Sequence, residues 1–329
     1  MKRFDLQYYL EGLKQQNNVV LAQAITLVES KKESDQELAY QLLDKVVKIE
    51  SSTFRIGITG TPGVGKSSFI EGFGNFLIDN GKRVAVLAID PSSQRTGGSI
   101  LGDKTRMETL SKNPGAFIRP SASGNALGGV NNKTREALLL CEAAGYDVII
   151  VETVGVGQSE TLVSKMVDFF LLMIQPGSGD DLQGIKKGIM EMADGITINK
   201  ADGDQAKLAR QSKKDLLNAL HLFALNETGW TTQVELCSAV DKTGFNEVWL
   251  MIQSFYQLMT ENDRFDQNRQ DQNVSWFKER VNLGLIQQLT VQKDINELMV
   301  SLTNQVKNNA LSVSKATHVF LSSIPQLLK

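Results

Sequence analysis

The run Gly60-Thr61-Pro62-Gly63-Val64-Gly65-Lys66-Ser67 fits G-x-x-x-x-G-K-[ST], and it sits between the elements that motif needs. Phe54-Arg55-Ile56-Gly57-Ile58-Thr59 before it reads as a buried strand, and Ser68 to Asp79 after it reads as a helix. Strand, glycine-rich loop and helix start form a cradle for phosphate. Glycines let backbone N–H groups turn inward, and the helix N-terminus adds a partial positive charge. In such a cradle Lys66 reaches the β- and γ-phosphates of a nucleoside triphosphate and Ser67 ligates Mg²⁺. The site is then lined by Gly60, Thr61, Pro62, Gly63, Val64, Gly65, Lys66, Ser67 and Ser68.

From Ser51 onward short apolar runs alternate with helical patterns, which predicts an α/β fold: a P-loop NTPase with a mainly parallel sheet flanked by helices. The expected strands are 54–59, 84–89, 116–119, 147–151, 169–174, 195–198 and 234–237. Helices are expected at 66–79, 103–112, 130–144, 158–166, 182–193, 205–224 and 244–259. Residues 1–50 read as an N-terminal helical extension, in which Ser34-Asp35-Gln36-Glu37 fits a capping box ahead of Leu38, Leu42 and Val46. The P-loop domain then spans 51–262. A polar linker near Glu261 to Asn273 leads into a helical arm, 263–329, with Trp276, Phe277, Leu283 and Ile286 as its apolar anchors.

Ligands of such sheets bind at the carboxyl ends of the strands, and the remaining motifs fall there. Asp90 ends the second strand, and the glycine-rich loop after it brings Asp103 toward a metal. Glu152 ends the fourth strand and can hold Mg²⁺, while Gly155 offers a backbone N–H to a γ-phosphate. Val156 stands where many such enzymes carry the glutamine that orients water, so intrinsic hydrolysis should be slow, with Gln158 or a partner compensating. Asn199-Lys200-Ala201-Asp202 fits Asn-Lys-x-Asp. A carboxylate at Asp202 accepts from both N1–H and N2–H₂ of guanine, whereas adenine presents an acceptor at N1 and no 2-amino donor. Ser238-Ala239 suits a loop closing over guanine O6. The alternative at Asp202 is a helix cap.

These blocks, with Gly97 to Met107, Cys141 to Asp147 and Pro176 to Gly188, make the chain resemble the methylmalonyl-CoA mutase-associated GTPases, also labelled arginine/ornithine transport-system kinases. The resemblance runs over nearly the whole length. It implies a homodimeric, GTP-hydrolysing chaperone that gates adenosylcobalamin delivery to an acyl-CoA mutase, with an adenosyltransferase as a further partner. It also implies that Asp90, Asp103 and Glu152 lie about the magnesium and that the 176–188 loop, with Asp180 and Lys186, is a switch contacting the mutase; the motifs themselves give Lys66, Glu152 and Gln158 to hydrolysis and Ser67 to the magnesium.

Three other functions compete, one of them a nucleotide-dependent scaffold without turnover, which survives because Val156 leaves hydrolysis unassisted. A small-molecule kinase would need an acceptor pocket with a base and has no use for Asn-Lys-x-Asp. A nickel-insertion GTPase would want Cys/His clusters, and the chain has two Cys and two His in all. Lys+Arg 35 against Asp+Glu 37 gives a net charge of −2 with no basic run, so neither nucleic acid nor a membrane is expected as a partner. The expected location is cytoplasmic, and Cys141 and Cys237 are expected to be reduced core thiols.

Overall fold

The computed structural model describes residues 3–89, 107–120, 127–153, 159–177, 187–220 and 228–327. They fall into two compact units, 1–272 and 273–329. The first unit opens with three helices, α1 (Leu6–Lys14), α2 (Asn18–Glu29) and α3 (Glu33–Val46). The alternating part follows: β1 (Phe54–Gly60), α4 (Lys66–Asp79), β2 (Val84–Ile89), α5 (Glu108–Ser111), β3 (Ala116–Pro120), α6 (Leu127–Ala143) and β4 (Val148–Thr153). It continues through α7 (Ser159–Ser164), β5 (Phe169–Ile174), α8 (Lys187–Met192), β6 (Gly195–Ile198), α9 (Ala206–Leu220), β7 (Gln233–Leu236) and α10 (Phe245–Glu261).

All seven strands pair in parallel, in the order β3-β2-β4-β1-β5-β6-β7. β1 is thus central, with β4 and β5 on its two sides, and the loop after it leaves from the middle of the carboxyl edge. Every residue of β1, β2, β4 and β5 is buried, as expected for strands covered on both faces. Alternate residues serve alternate faces. Ala85, Leu87, Ile149 and Val151 face a core shared with α6 and the three N-terminal helices, through Leu13, Leu21, Ile25, Leu42 and Leu138. Ile56, Val86, Val148 and Ile150 face the opposite core, built on Phe69, Phe73 and Leu77 of α4 and Val248 and Ile252 of α10. The three N-terminal helices therefore share the sheet's own core.

The capping box does not form. α3 starts at Glu33, and its N-cap, Lys32, makes no side-chain capping bond. Asp35 is used instead for a tertiary clasp, accepting from Arg3 at 2.7 Å and Ser30 Oγ at 2.6 Å. The expected helix at 103–112 is, among the described residues, only the four-residue α5.

The amino edge of the sheet follows a rule that sequence patterns do not display. The residue just before each of β4, β5 and β6 is an aspartate, and each accepts from an N–H of the neighbouring strand's start. Asp147 takes Arg83 N at 2.7 Å, Asp168 takes Arg55 N at 2.8 Å, and Asp194 takes Phe170 N at 2.8 Å. Asp168 also binds Arg269, from Nε at 2.8 Å and Nη2 at 2.6 Å. The Gln272 side-chain amide donates to Val167 O at 2.8 Å, and its backbone carbonyl accepts from Arg135 Nη1 at 3.1 Å. These bonds explain why the polar stretch read as a linker is helix instead: α11 (Arg264–Val291) begins within it, and its polar side chains satisfy the underside of the sheet.

Among the described residues Asp194 has no such cation, and burial pushes its carboxyl up from 3.8 to about 7 against the lowering effect of the Phe170 N–H. The folded chain then holds this proton more tightly than the unfolded chain, so this group's contribution to stability declines as pH rises from 3.8 through about 7. Asp194→Asn keeps an acceptor for Phe170 N and removes the titration. Urea midpoints are expected to fall between pH 5 and 8 more steeply for wild type than for the variant. Parallel profiles would show that Asp194 does not titrate in this range.

The second unit holds the rest of α11 together with α12 (Lys293–Lys307) and α13 (Val313–Leu327). Ile295, Leu302 and Ala316 are buried there, whereas Phe277, Leu285, Ile286 and Val291 are exposed by 67%, 53%, 58% and 84%. Of the expected anchors, Phe277, Leu283 and Ile286 thus stand open on the surface. No helix among the described residues is long and apolar enough to cross a membrane.

Candidate functional site

The loop between β1 and α4 is shaped by its glycines. Gly60 has φ +155°, and a Cβ there would lie 2.4 Å from the Met173 carbonyl of β5. Gly65 has φ +94°, and a Cβ there would meet Asn199 Nδ2 at 2.6 Å. Both positions need glycine, for backbone conformation and for space. Gly65 is also the N-cap of α4 and offers no side-chain capping bond. The first-turn N–H groups of this helix consequently have no intrahelical partner and suit an anion. Val64 is fully buried in the α4 core, so only its backbone can face a ligand, while Thr61, Pro62, Gly63 and Ser68 are exposed.

Lys66 is 8% exposed. Its Nζ donates to Gly60 O at 2.7 Å and to Thr61 O at 3.3 Å, folding the ammonium back over its own loop. Burial lowers its pKa, and the Glu152 and Glu160 carboxylates oppose that shift. Phosphate oxygens would act in the same sense as the carboxylates and hold Lys66 protonated. Ser67 Oγ donates to Glu152 Oε1 at 3.1 Å, so β1's loop and the end of β4 bring two oxygen donors together. An oxygen-only pair of this kind fits Mg²⁺. Glu160, 7% exposed in α7, was not singled out by its sequence position. The one signal for it was an acidic residue opening the helix after Gly155.

Asn-Lys-x-Asp is drawn tightly against this loop. Asn199 Nδ2 donates to Val64 O at 2.8 Å, and Asn199 Oδ1 accepts from Ala239 N at 3.2 Å and Cys237 Sγ at 3.4 Å. Asn199 thereby ties the phosphate loop, β6 and the segment after β7 into one unit. Lys200, at φ +60°, donates to Gly63 O at 2.8 Å. A left-handed conformation is unfavourable for lysine and is held here by the structure around it. Asp202 does not cap the helical turn after it. Its Oδ1 is buried with no hydrogen-bond partner among the described residues. A buried acceptor in that state is costly unless a donor arrives, and guanine carries two adjacent donors. Ser238 is fully buried, with Oγ accepting from Asp241 N at 3.0 Å, so its side chain shapes the loop and does not line an opening.

Asp90, Asp103, Gly155, Gln158, Asp180 and Lys186 lie outside the described residues. Among those described, the structure brings together Gly60 to Ser67, Glu152, Asn199, Lys200 and Ala239. Cys141 and Cys237 are buried free thiols, their pKa values raised by burial, to about 12 for Cys237.

The sequence pattern of the family described as Methylmalonyl Co-A mutase-associated GTPase MeaB matches residues 21–294. GTPase ArgK of Escherichia coli is 49% identical over 303 residues, covering 92% of each chain. The mitochondrial methylmalonic aciduria type A homolog of Mus musculus is 41% identical over 322 residues, covering 95% of this chain and 78% of that protein. The crystal structure of an LAO/AO transport system kinase superposes with a TM-score of 0.78 at 39% identity, covering 99% of both chains. A P-loop NTPase sheet with this loop at its centre, matched at such identity and over such a length, places the chain in the methylmalonyl-CoA mutase-associated GTPase family.

Proposed function

We propose that the chain binds GTP, hydrolyses it to GDP and phosphate, and uses the cycle to gate adenosylcobalamin loading of an acyl-CoA mutase of the methylmalonyl-CoA type. The observation that carries the guanine assignment is the buried, unpartnered Oδ1 of Asp202, beside a phosphate loop braced by Asn199 and Lys200. The mutase is supported by the family's description and by the name of the mouse relative.

In this reading Lys66 exchanges the carbonyls of Gly60 and Thr61 for phosphate oxygens, and the α4 amides hold the β-phosphate. Ser67 and Glu152, with Asp90 and Asp103, would hold Mg²⁺, which would draw negative charge from the phosphate oxygens during transfer. Gly155 N–H meets the γ-phosphate, Gln158 orients water, and the backbone of Ser238 and Ala239 closes over guanine O6. The slow step is water alignment, because Val156 contributes no hydrogen bond there. Residues 263–329 serve as the dimerisation arm, for which the exposed Phe277, Leu285, Ile286 and Val291 supply apolar surface. The location proposed is cytoplasmic, with an adenosyltransferase as a further partner.

Competition binding tests the assignment: GTP is expected to displace a labelled guanine nucleotide while ATP does not, and equal displacement would overturn it. Coupling to the mutase is assigned to the loop carrying Asp180 and Lys186. A two-state element transmits about 1–3 kcal/mol between sites, roughly 5- to 150-fold in an equilibrium. In single-turnover hydrolysis, wild type is expected to accelerate on adding the mutase. Lys186→Ala should keep its basal rate and lose the acceleration. Equal stimulation of the two would remove this loop from the coupling.

A further inference from the structure

At the amino edge of the sheet, the edge away from the phosphate loop, lies a cavity of about 300 Å³. It is bounded by the end of α7, the starts of β5 and β6, the end of α10 and the start of α11. Its size falls at the small end of ligand sites, about 300–1,000 Å³. Phe170, Phe255, Met259 and Phe265 give it apolar walls, and Asp168 and Asp194 contribute carboxylates.

The two aspartates hold equivalent positions, each one residue before a strand and each accepting from a neighbouring strand's N–H. Their electrostatic circumstances differ. Arg269 serves Asp168 through two bonds of 2.8 and 2.6 Å. Asp194 receives only the Phe170 N–H among the described residues; Trp230 Nε1 donates to its backbone carbonyl, at 2.7 Å, and not to its carboxylate. The other charged groups lining the cavity are Arg264 and Asp271, both exposed, with Asp271 accepting from Gln267 at 3.2 Å. Neither supplies a buried cation to Asp194.

We infer that this cavity binds a small organic cation, an amine or guanidinium on an apolar body, whose charge pairs with Asp194 as Arg269 pairs with Asp168. Asp194 is half-buried and borders the cavity, and a carboxylate set among apolar walls with a single N–H donor gains a partner when a cation arrives. The raised Asp194 pKa, about 7, is the same deficit seen from the proton's side. The aromatic and methionine walls suit the apolar body and the face of a cation. A bare metal ion would find one unpaired carboxylate among apolar side chains, too few oxygen donors for its coordination.

The probe is 2-phenylethylamine, titrated calorimetrically into the full-length chain with GDP present, against 2-phenylethanol as its uncharged counterpart. Saturable millimolar binding of the amine is expected, the range for a fragment of this size, with the alcohol at least about tenfold weaker. For a carboxyl titrating near 7, the ionised fraction rises from about a tenth at pH 6 to about nine-tenths at pH 8, so amine affinity should rise about tenfold between them. Asp194→Asn should lose that pH dependence and bind the amine at least about tenfold more weakly, with GDP affinity unchanged. The inference is overturned if the alcohol binds as well as the amine, if no saturable amine binding occurs, or if affinity is the same at both pH values. Undiminished amine binding by Asp194→Asn overturns it equally. Should the variant fail to fold, the wild-type comparison of amine with alcohol at the two pH values decides alone.

Discussion

Asp202→Asn is expected to weaken GTP binding by roughly 10- to 100-fold and to strengthen binding of xanthosine triphosphate. The carboxylate accepts from guanine N1–H and N2–H₂ together. An amide in its place keeps one acceptor and turns a donor toward the 2-amino group, a mispaired contact costing about 1–3 kcal/mol. Xanthine carries a carbonyl at C2, so the same amide donor finds an acceptor there. The substitution is a clean one, because the Asp202 side chain caps nothing and its Oδ1 has no partner to lose in the free protein. Thermal stability should therefore stay near that of wild type while nucleotide preference moves. Competition binding against a labelled GDP reads both arms, and unchanged GTP affinity would sink the assignment of this motif.

The elements that position the site were legible because their signals are local. Seven apolar runs became seven strands, with ends displaced by a residue or two, and the glycine-rich motif fell between β1 and α4 as its spacing demanded. Partnerships between distant residues were not legible. Asn199 reaches 135 residues back to the Val64 carbonyl, and Arg269 reaches 101 residues back to Asp168. Nothing in either neighbourhood marks such a partner. The same cause undid two local readings: Asp35 left its capping box for Arg3 and Ser30, and the polar stretch at 261–273 became helix because Arg269 and Gln272 answer buried acceptors under the sheet. Tertiary satisfaction of polar groups overrode propensity in both. At Asp202 one of the two readings leaves a geometric trace that the structure can be checked for. Helix capping predicts a side-chain bond to the following turn, and none is made.

Lys66→Ala is expected to abolish measurable turnover, with a loss of about 10²–10³-fold if, as at other preorganised charge-stabilising positions, the lysine acts mainly as negative charge shifts in the transition state. Two features of its surroundings make it suited to that task. It is held in a buried position by the Gly60 and Thr61 carbonyls of the phosphate loop itself, so it has only to exchange those partners when a nucleotide arrives. Burial lowers its pKa while Glu152 and Glu160 work against the shift, and an incoming triphosphate would act in the same sense as those carboxylates. Truncation has a second consequence, because Gly60 O loses its donor, and an unsatisfied buried acceptor costs about 1–3 kcal/mol. Stability and catalysis must therefore be measured side by side. Single-turnover hydrolysis with enzyme in excess, at a temperature well below both melting transitions, separates them. If Lys66 acts on the γ-phosphate, the variant should bind GDP with a smaller loss than GTP, since the diphosphate lacks the group that Lys66 would serve in transfer. Turnover equal to wild type in a folded Lys66→Ala protein would take the loop lysine out of the mechanism, leaving the α4 amides and the Ser67–Glu152 pair as the groups that handle the phosphates.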